Sequence, residues 1–196
     1  MKIYDISRPL NDETAVYKNN ENMIFEIPSK SEMKTNFHIG THVDAPYHMQ
    51  ENGKKMVEMD LKLYYGPSTV YDLTELEDAI NRSDLEKLEL QPNDIVLFKT
   101  RNSYDDAWNP KFVYLAPDAA RYLAEIGVRS VALDAMSIER NTEDHETHHI
   151  LFDAGIGLIE DVRLADVPAG RYTLSALPLA MTEAEASPTR AILIEE

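Results

Sequence analysis

The sequence predicts a mixed α/β fold, and three observations lead to that class. In the second half of the chain, strand patterns alternate with short helix patterns, whereas the first half is rich in strands and loops. Hydrophobic residues make up 43% of the chain and charged residues 28%, as in ordinary globular proteins. No repeat, low-complexity tract or linker interrupts the 196 residues, so we predict one domain over 1–196. Because the alternation covers only half of the chain, it does not indicate a doubly wound parallel sheet.

The first half carries three strand patterns and one helix pattern. From their apolar, β-branched and aromatic content, short strands are predicted at 3–7, 24–27 and 68–73. Residues 10–23 are polar and turn-rich, which predicts a loop. Ser83, followed three residues later by Glu86, fits a capping box at the start of a short helix. A solvated acidic loop is the alternative for this segment.

Strands dominate the rest of the prediction. The continuous apolar run at 94–100 is typical of a buried strand. Further strands are predicted at 128–134, 156–160, 171–179 and 190–194, the last two separated by a loop over 182–188. The loop at 101–116 holds the only tryptophan, Trp108. This side chain either walls a pocket for an aromatic substrate or is simply partly buried.

Two helices are predicted between these strands. The first spans 117–125, because Pro117 suits a first helical position and Gly127 suits a helix end. The second spans 147–153 and ends at Gly155.

Composition and charge exclude several classes of function. The formal net charge of −16 argues against nucleic acid and against anionic membrane surfaces as partners. The chain has no cysteine, so disulfides, iron–sulfur clusters, thiolate zinc sites and cysteine nucleophiles are excluded. The sequence shows no apolar run suited to a signal peptide or a membrane span, and we therefore predict a cytoplasmic protein.

Residues 36–48 concentrate the side chains that suit a metal site. His38, His42, Asp44 and His48 all occupy even positions, and alternate side chains of an extended backbone share one face. Gly40 and Pro46 oppose a helix, so we predict a strand that enters a turn at 45–46. Imidazole and carboxylate together are ligands for a borderline divalent metal such as zinc. The alternative is a polar loop with ordinary surface histidines.

The same stretch resembles a known family signature. The string His-x-Gly-Thr-His-x-Asp-x-Pro-x-His, from His38 to His48, is similar to that of the cyclase-like metal-dependent hydrolases, which include bacterial kynurenine formamidases. The resemblance implies a three-layer swivelling β/β/α fold and a homo-oligomer, either a dimer or a dimer of dimers. It extends over nearly the whole chain and is weakest between residues 10 and 35. There, family members usually carry a proline- and glycine-containing segment, whereas this chain has Val-Tyr-Lys-Asn-Asn at 16–20.

A second histidine group lies at 145–149. His145, His148 and His149 either face a metal from one helix or lie on a solvated helix face. The family resemblance implies the first alternative, because its second metal segment has a histidine twelve residues before a strand-end glutamate. That spacing selects His148 and Glu160, although the adjacent His149 keeps the register open. Asp134, at a strand end, matches a family position for which we expect either a structural role or a contact that supports a metal ligand from behind.

The resemblance implies a ligand set and a mechanism. His38, His42 and Asp44 would hold one divalent ion, and Asp44, His148 and Glu160 a second, with zinc expected and manganese as an alternative. Water activated by the metal would attack an amide carbonyl, and His48 would shuttle the proton to the leaving nitrogen. The open alternatives are that His48 is a further ligand, or that Glu160 is a general base beside a single ion.

Three functions follow as hypotheses. The first is hydrolysis of the small-molecule amide N-formyl-kynurenine to kynurenine and formate, as the resemblance suggests. The second keeps the metal centre and changes the substrate to a lactam or lactone, such as isatin. The third is a metal-binding protein without catalysis, which the histidine at position 48 argues against. Near the C-terminus, residues 183–186 (Glu-Ala-Glu-Ala) replace the glycine-bearing turn that family members usually have before Ser-Pro.

Overall fold

The computed structural model describes residues 1–140 and 143–195, and a mixed sheet is its largest feature. Within the described residues the strands are, in chain order, β1 Lys2–Asp5, β2 Phe25–Ser29, β3 Glu32–Thr35, β4 His42–Asp44, β5 Tyr65–Asp72, β6 Ala79–Ile80, β7 Ile95–Lys99, β8 Tyr114–Leu115, β9 Ser130–Leu133, β10 Gly157–Glu160, β11 Gly170–Ser175, β12 Ala186–Pro188 and β13 Ile192–Glu195. The helices are α1 Arg82–Leu85, α2 Pro117–Ile126 and α3 Glu146–Asp153.

Nine of these strands form one sheet in the order β1-β13-β11-β5-β7-β9-β10-β4-β12, counted over the described residues. The central strands β5, β7, β9 and β10 are parallel, and the flanking strands are antiparallel. All five residues of β7 are buried, as its continuous apolar run predicts. The pairs β2–β3 and β6–β8 form two small separate sheets.

Two hydrophobic cores lie on opposite sides of the large sheet. The first contains side chains of α2 and α3, such as Leu123 and Leu151, packed with Phe98 and Leu133 of the central strands. The second collects side chains from strands along the whole sheet, from β4 and β10 to β11 and β13. The sheet therefore curls over its own second core while the helices cover the first. This arrangement confirms the predicted three-layer β/β/α class.

Both predicted helices are confirmed with small shifts of their ends. Helix α2 has Pro117 at its first position, and Gly127 ends it in the left-handed conformation with φ of 76°. Helix α3 begins one residue earlier than predicted, and Gly155 follows it with φ of 72°. The helix that carries His148 thus leads directly into β10, which ends at Glu160.

The prediction of an extended backbone over most of 36–48 is wrong. Only His42–Asp44 forms a strand, whereas the residues before it are turns and Pro46–His48 is a 3₁₀ turn. Gly40 has the left-handed φ of 66°, which favours glycine, and a Cβ atom there would lie 2.5 Å from Cδ2 of Leu10, whose side chain would have to move. Pro46 has the fixed φ that suits the start of the following turn.

Other differences concern short elements. Ser83 is not a helix cap, because α1 already begins at Arg82, and the backbone N–H of Asn81 donates to Asp84 at its first turn. Strand β3 was not predicted, because its four residues are exposed or only half-buried and carry no apolar alternation. Strand β12 lies inside the predicted 182–188 loop and pairs with β4. No local sequence pattern predicts this pairing. In the described part of the chain, no helix has both the length and the apolar character that crossing a membrane requires.

Candidate metal centre

The predicted site lies where β4, β10 and α3 meet. His42 and Asp44 are alternate residues of β4 and are fully buried, so both side chains lie on one face of the strand. Glu160 ends β10 and is paired in register with His42. Helix α3, which precedes β10 in the chain, contributes His148. Three separate elements thus place four titratable side chains at one end of the sheet.

Short distances join these four side chains. His42 Nε2 lies 3.2 Å from Glu160 Oε2 and 3.5 Å from Asp44 Oδ1. His148 Nε2 lies 3.5 Å from Glu160 Oε1 and 3.8 Å from Asp44 Oδ2. The backbone N–H of Ile138 also donates to Glu160 Oε1 at 2.7 Å, which holds the carboxylate in place.

His38 and His48 reach the same point from the turns on either side of β4. His38 Nδ1 lies 3.2 Å from Asp44 Oδ1, and the rings of His38 and His48 lie 4.1 Å apart between centroids. The structure therefore brings together all six residues predicted for the site, although a strand supplies only two of the four from the signature. His149 is half-buried, and the cavity at the site is lined by His148 and not by His149 among the described residues.

The turn before β4 is fastened to the end of β10. The hydroxyl of Thr41 donates to the backbone oxygen of Asp161 at 2.6 Å and accepts from the backbone N–H of Arg8 at 2.7 Å. The guanidinium of Arg8 in turn donates twice to the Asp161 carboxylate, at 2.6 and 2.8 Å. These bonds account for the threonine of the signature, because they join the residue before His42 to the residue after Glu160.

Three histidines each have an acceptor on the side of the ring that faces away from Asp44 and Glu160. His42 Nδ1 lies 2.7 Å from the backbone oxygen of Gly40, and His148 Nδ1 lies 2.9 Å from Glu139 Oε1. His38 uses the opposite nitrogen, since its Nε2 lies 3.2 Å from Glu185 Oε1. An acceptor on one ring nitrogen leaves the other with a lone pair, as metal-binding histidines require.

The chemistry of the donor set fits a divalent cation. His42 Nε2 and both Asp44 carboxylate oxygens are buried and lack a hydrogen-bond partner within the described structure. Buried polar atoms without partners are rare, and here they converge. Atoms of His42, Asp44 and Glu160 lie within 4.8 Å of one another, as do atoms of His38, Asp44 and His48. Asp44 is common to both groups, as the prediction of a bridging aspartate requires. The prediction assigned His42 and Glu160 to different ions, whereas here His42 and Glu160 belong to the same group.

The buried carboxylates of the site favour positive charge on the neighbouring histidines. Burial lowers the pKa of His38, but the Asp44, Glu185 and Glu160 carboxylates outweigh burial and raise that pKa to about 10. Burial likewise opposes protonation of His148, yet Glu139 and Glu160 raise its pKa to about 10. Conversely, histidines lower the pKa of Asp44 against the effect of burial. In the absence of a cation, imidazolium groups balance the buried carboxylates.

His48 differs from its neighbours. Burial lowers its pKa, and the nearby His38 and His148 lower it further against the attraction of Asp44. Its side chain is 23% exposed and lines a cavity of about 450 Å³. His48 is therefore the neutral imidazole of the group and faces the space that a small molecule would occupy.

The cavity has apolar walls and a charged mouth. His38, His48, His148 and Glu160 form its floor. Tyr17 and the methionines Met23, Met49 and Met136 form the apolar part of the lining. Polar side chains complete it: Lys18, Asn20, Asn36, Ser137, Glu139 and His145. Lys18, at an exposed position, has the left-handed φ of 55° and its Nζ lies 5.1 Å from the centre of the Tyr17 ring.

Two residues singled out from the sequence have other roles. Trp108 lines a separate small cavity and packs against Tyr17 at 4.6 Å between ring centroids, so it supports the wall of the main cavity from behind. Of the two roles expected for Asp134, the structural one fits its contacts. It accepts from the backbone N–H and hydroxyl of Thr100 and from those of Ser103, at 2.6–3.1 Å.

Comparison with known proteins agrees with this geometry. The Cyclase family model, described as "Putative cyclase", matches residues 4–140. The chain belongs to the cyclase family. A kynurenine formamidase of Bacillus thuringiensis subsp. konkukian (strain 97-27) is 35% identical over 96% of this chain and 95% of its own length.

Solved structures place the fold in the same family. A structure described as a potential metal-dependent hydrolase with cyclase activity is 42% identical, with a TM-score of 0.94 over 98% of this chain and 96% of that one. A predicted metal-dependent hydrolase from Bacillus stearothermophilus is 41% identical, with a TM-score of 0.88 over 98% of this chain and 97% of that one. Isatin hydrolase A from Labrenzia aggregata, at 21% identity and a TM-score of 0.82 over 100% of this chain and 94% of that one, shares the fold. The divalent-metal requirement predicted from the sequence agrees with these metal-dependent relatives.

Sequence reasoning missed the carboxylates behind the histidines of this cyclase-family site. Glu139 contacts both His148 and His145, whose Nδ1 lies 2.5 Å from Glu139 Oε1. Glu185 contacts both His38 and His48. Outer carboxylates of this kind have no fixed sequence spacing to their histidines, because the contact depends on how separate loops pack.

Proposed function

We propose that this chain is a metal-dependent amidohydrolase that cleaves N-formyl-kynurenine to kynurenine and formate. The observation that carries the proposal is a buried set of imidazole and carboxylate donors that opens, beside the neutral His48, onto a cavity of about 450 Å³. The similarity to a kynurenine formamidase over 96% of the chain supports the choice of substrate.

The residues that would hold metal are His38, His42, Asp44, His148 and Glu160. This mixture of imidazole and carboxylate donors suits zinc, with manganese as the alternative. When bound, a divalent cation supplies Lewis acidity, which polarises a carbonyl group and lowers the pKa of water. The second-sphere contacts of His38, His42 and His148 hold these rings in the orientation that binding requires.

His48 would handle the proton. An anilide nitrogen leaves only after it gains a proton, because the free amide anion is a very poor leaving group. A neutral imidazole whose pKa lies below its ordinary value can take a proton from the attacking water and then donate it to that nitrogen. His48 is placed for this role, since it lines the cavity and is held beside the proposed ligand His38.

The cavity walls match the two ends of the proposed substrate. Tyr17 and the three methionines provide apolar surface for an aromatic ring. N-formyl-kynurenine also bears a carboxylate on its amino-acid side chain. Lys18 is the aliphatic cation at the cavity mouth, where an exposed ammonium can pair with that carboxylate.

We also expect a homo-oligomer, which size measurements in solution will test.

The test is hydrolysis of N-formyl-kynurenine by metal-replete and chelator-stripped protein, with metal content measured on both samples. We expect turnover only in the metal-replete sample and its return after metal is restored. Bound metal without turnover would overturn the formamidase proposal and direct the assay to lactams and lactones. Bound metal without turnover of any of these substrates would favour a metal-binding protein without catalysis.

A further inference from the structure

Glu185 occupies a position that its backbone fixes firmly. It directly precedes β12, and its carbonyl oxygen accepts the backbone N–H of Ala45 at 2.8 Å. The next residue, Ala186, is paired in register with Asp44. Glu185 is therefore attached through β12 to β4, the strand that carries two of the proposed ligands. It lies far from the signature in sequence.

The Glu185 carboxylate reaches two histidines at once. Oε1 lies 3.2 Å from His38 Nε2, and Oε2 lies 3.4 Å from His48 Nδ1. His48 Nδ1 is buried and has no hydrogen bond within the described structure, so Glu185 Oε2 is an acceptor placed just beyond bonding geometry. The two rings lie 4.1 Å apart and are tilted by 36°, which brings both outer nitrogens towards the same carboxylate.

We propose that Glu185 is a positioning residue that orients His38 and His48 together. By accepting from His38 Nε2–H it directs Nδ1 of that ring towards Asp44. By accepting from His48 Nδ1–H it leaves Nε2 of His48 with a free lone pair for proton transfer. A neutral imidazole has one N–H, so an acceptor at one nitrogen selects the tautomer. The His48 part of this inference rests on the proposed function, whereas the His38 part does not.

Glu183 provides a matched control in the same loop. Its side chain is 79% exposed and, within the described structure, pairs with Lys55 and not with a histidine. Substituting Glu183→Gln removes the same charge as Glu185→Gln at nearly the same place in the chain. A general effect of loop charge would appear in both variants, whereas a positioning role would appear only at 185.

The experiment compares Glu185→Gln, Glu185→Asp and Glu183→Gln in the metal-loaded protein. Glutamine offers a single acceptor oxygen where two N–H groups require one each, whereas aspartate keeps two oxygens. For Glu185→Gln we expect metal affinity, measured by chelator competition, to fall about 10–100-fold, the usual effect of losing an outer-sphere partner. We expect kcat to fall by a similar factor with KM unchanged. Aspartate should restore part of both losses, and Glu183→Gln should match the unsubstituted protein.

A second readout does not depend on turnover. The ¹⁵N shifts of the His48 ring in the zinc-loaded protein report its tautomer, which we expect to be Nδ1–H and to become mixed in Glu185→Gln. Unchanged metal affinity and an unchanged His48 tautomer in Glu185→Gln would overturn the inference. If the unsubstituted protein does not hydrolyse the formyl amide, the proposed function fails, while the affinity and tautomer measurements still decide the role of Glu185.

Discussion

Glu139 Oε1 lies 2.9 Å from His148 Nδ1, on the side of the ring that faces away from Asp44 and Glu160. Glu139 itself is 3% exposed, and His148 with His145 lowers its pKa to about 2 against the effect of burial. The carboxylate is therefore ionised and turns Nε2 of His148 towards the proposed metal. His145 adopts a left-handed φ of 48° at the start of α3, which brings its ring to the same carboxylate.

This contact predicts the effect of Glu139→Gln. Loss of the charged acceptor should weaken metal binding about 10–100-fold, because the ring loses both its orientation and part of its basicity. Chelator competition monitored by metal release will measure this change. Glu146→Gln, on the exposed face of α3 where Glu146 pairs with Arg121, is the matched control and should leave metal affinity unchanged. Equal effects of the two substitutions would contradict the assignment.

His48→Ala separates catalysis from metal binding. If His48 carries the proton, kcat should fall about 10²–10⁴-fold, the usual contribution of a positioned acid–base group, with bound metal unchanged. The measurements are steady-state kinetics and the metal content of the same preparation. Loss of metal in His48→Ala would instead make His48 a ligand, as its grouping with His38 and Asp44 within 4.8 Å allows.

The sequence predicted which side chains converge at the site better than it predicted the backbone conformation that carries them. The signature from His38 to His48 and the spacing of His148 to Glu160 identified the side chains that converge, because each local motif fixes its own residue types. The strand geometry used to explain the convergence was wrong for His38 and His48, which arrive on turns.

The long-range contacts were beyond any local pattern. Glu185 reaches His38 only because β12 adds to the edge of β4, and three residues of an edge strand produce no distinctive periodicity. The central strands, by contrast, are buried on both faces, so their continuous apolar runs predict them well. Tertiary packing, not sequence spacing, decides which carboxylates lie behind the histidines.

Metal-free protein should lose stability as pH rises from about 6.5 to 10. The pKa values of His38 and His148 are raised to about 10 in the fold from 6.5. The stabilisation from their protonated forms is therefore complete below pH 6.5 and disappears as pH rises through the folded pKa. Each such proton changes the free energy of unfolding by about 1.4 kcal/mol per pH unit within this range.

Urea unfolding of chelator-stripped protein between pH 6 and 10 will measure this decline. The metal-loaded protein is the comparison, and its free energy of unfolding should fall less, since a bound cation replaces the protons. Metal binding to the stripped protein at pH 8 should therefore release protons, which calorimetry in buffers of different ionisation enthalpy detects. A free energy of unfolding that is level or rising over this range in the stripped protein would contradict the raised pKa values.

Lys18 should distinguish substrates by their carboxylate. An exposed ion pair contributes about 0.2–1 kcal/mol, so Lys18→Gln should raise KM for N-formyl-kynurenine about 1.4- to 5-fold and leave kcat unchanged. Formanilide has no carboxylate, and its kcat/KM should not change. Glutamine meets the same backbone requirement as lysine at the left-handed φ of 55°, so the substitution changes the charge and leaves the turn conformation intact.

The charge-reversal variant and a control complete this test. Lys18→Glu should increase the discrimination against the carboxylate-bearing substrate beyond that of Lys18→Gln, because repulsion replaces attraction. Lys30→Gln, in the exposed turn between β2 and β3, removes the same charge away from the cavity lining and should have no effect on either substrate. Similar changes for both substrates in the Lys18 variants would mean that Lys18 shapes the cavity mouth without binding the carboxylate. The ratio of kcat/KM for the two substrates is thus the quantity that decides, since it cancels any general loss of activity.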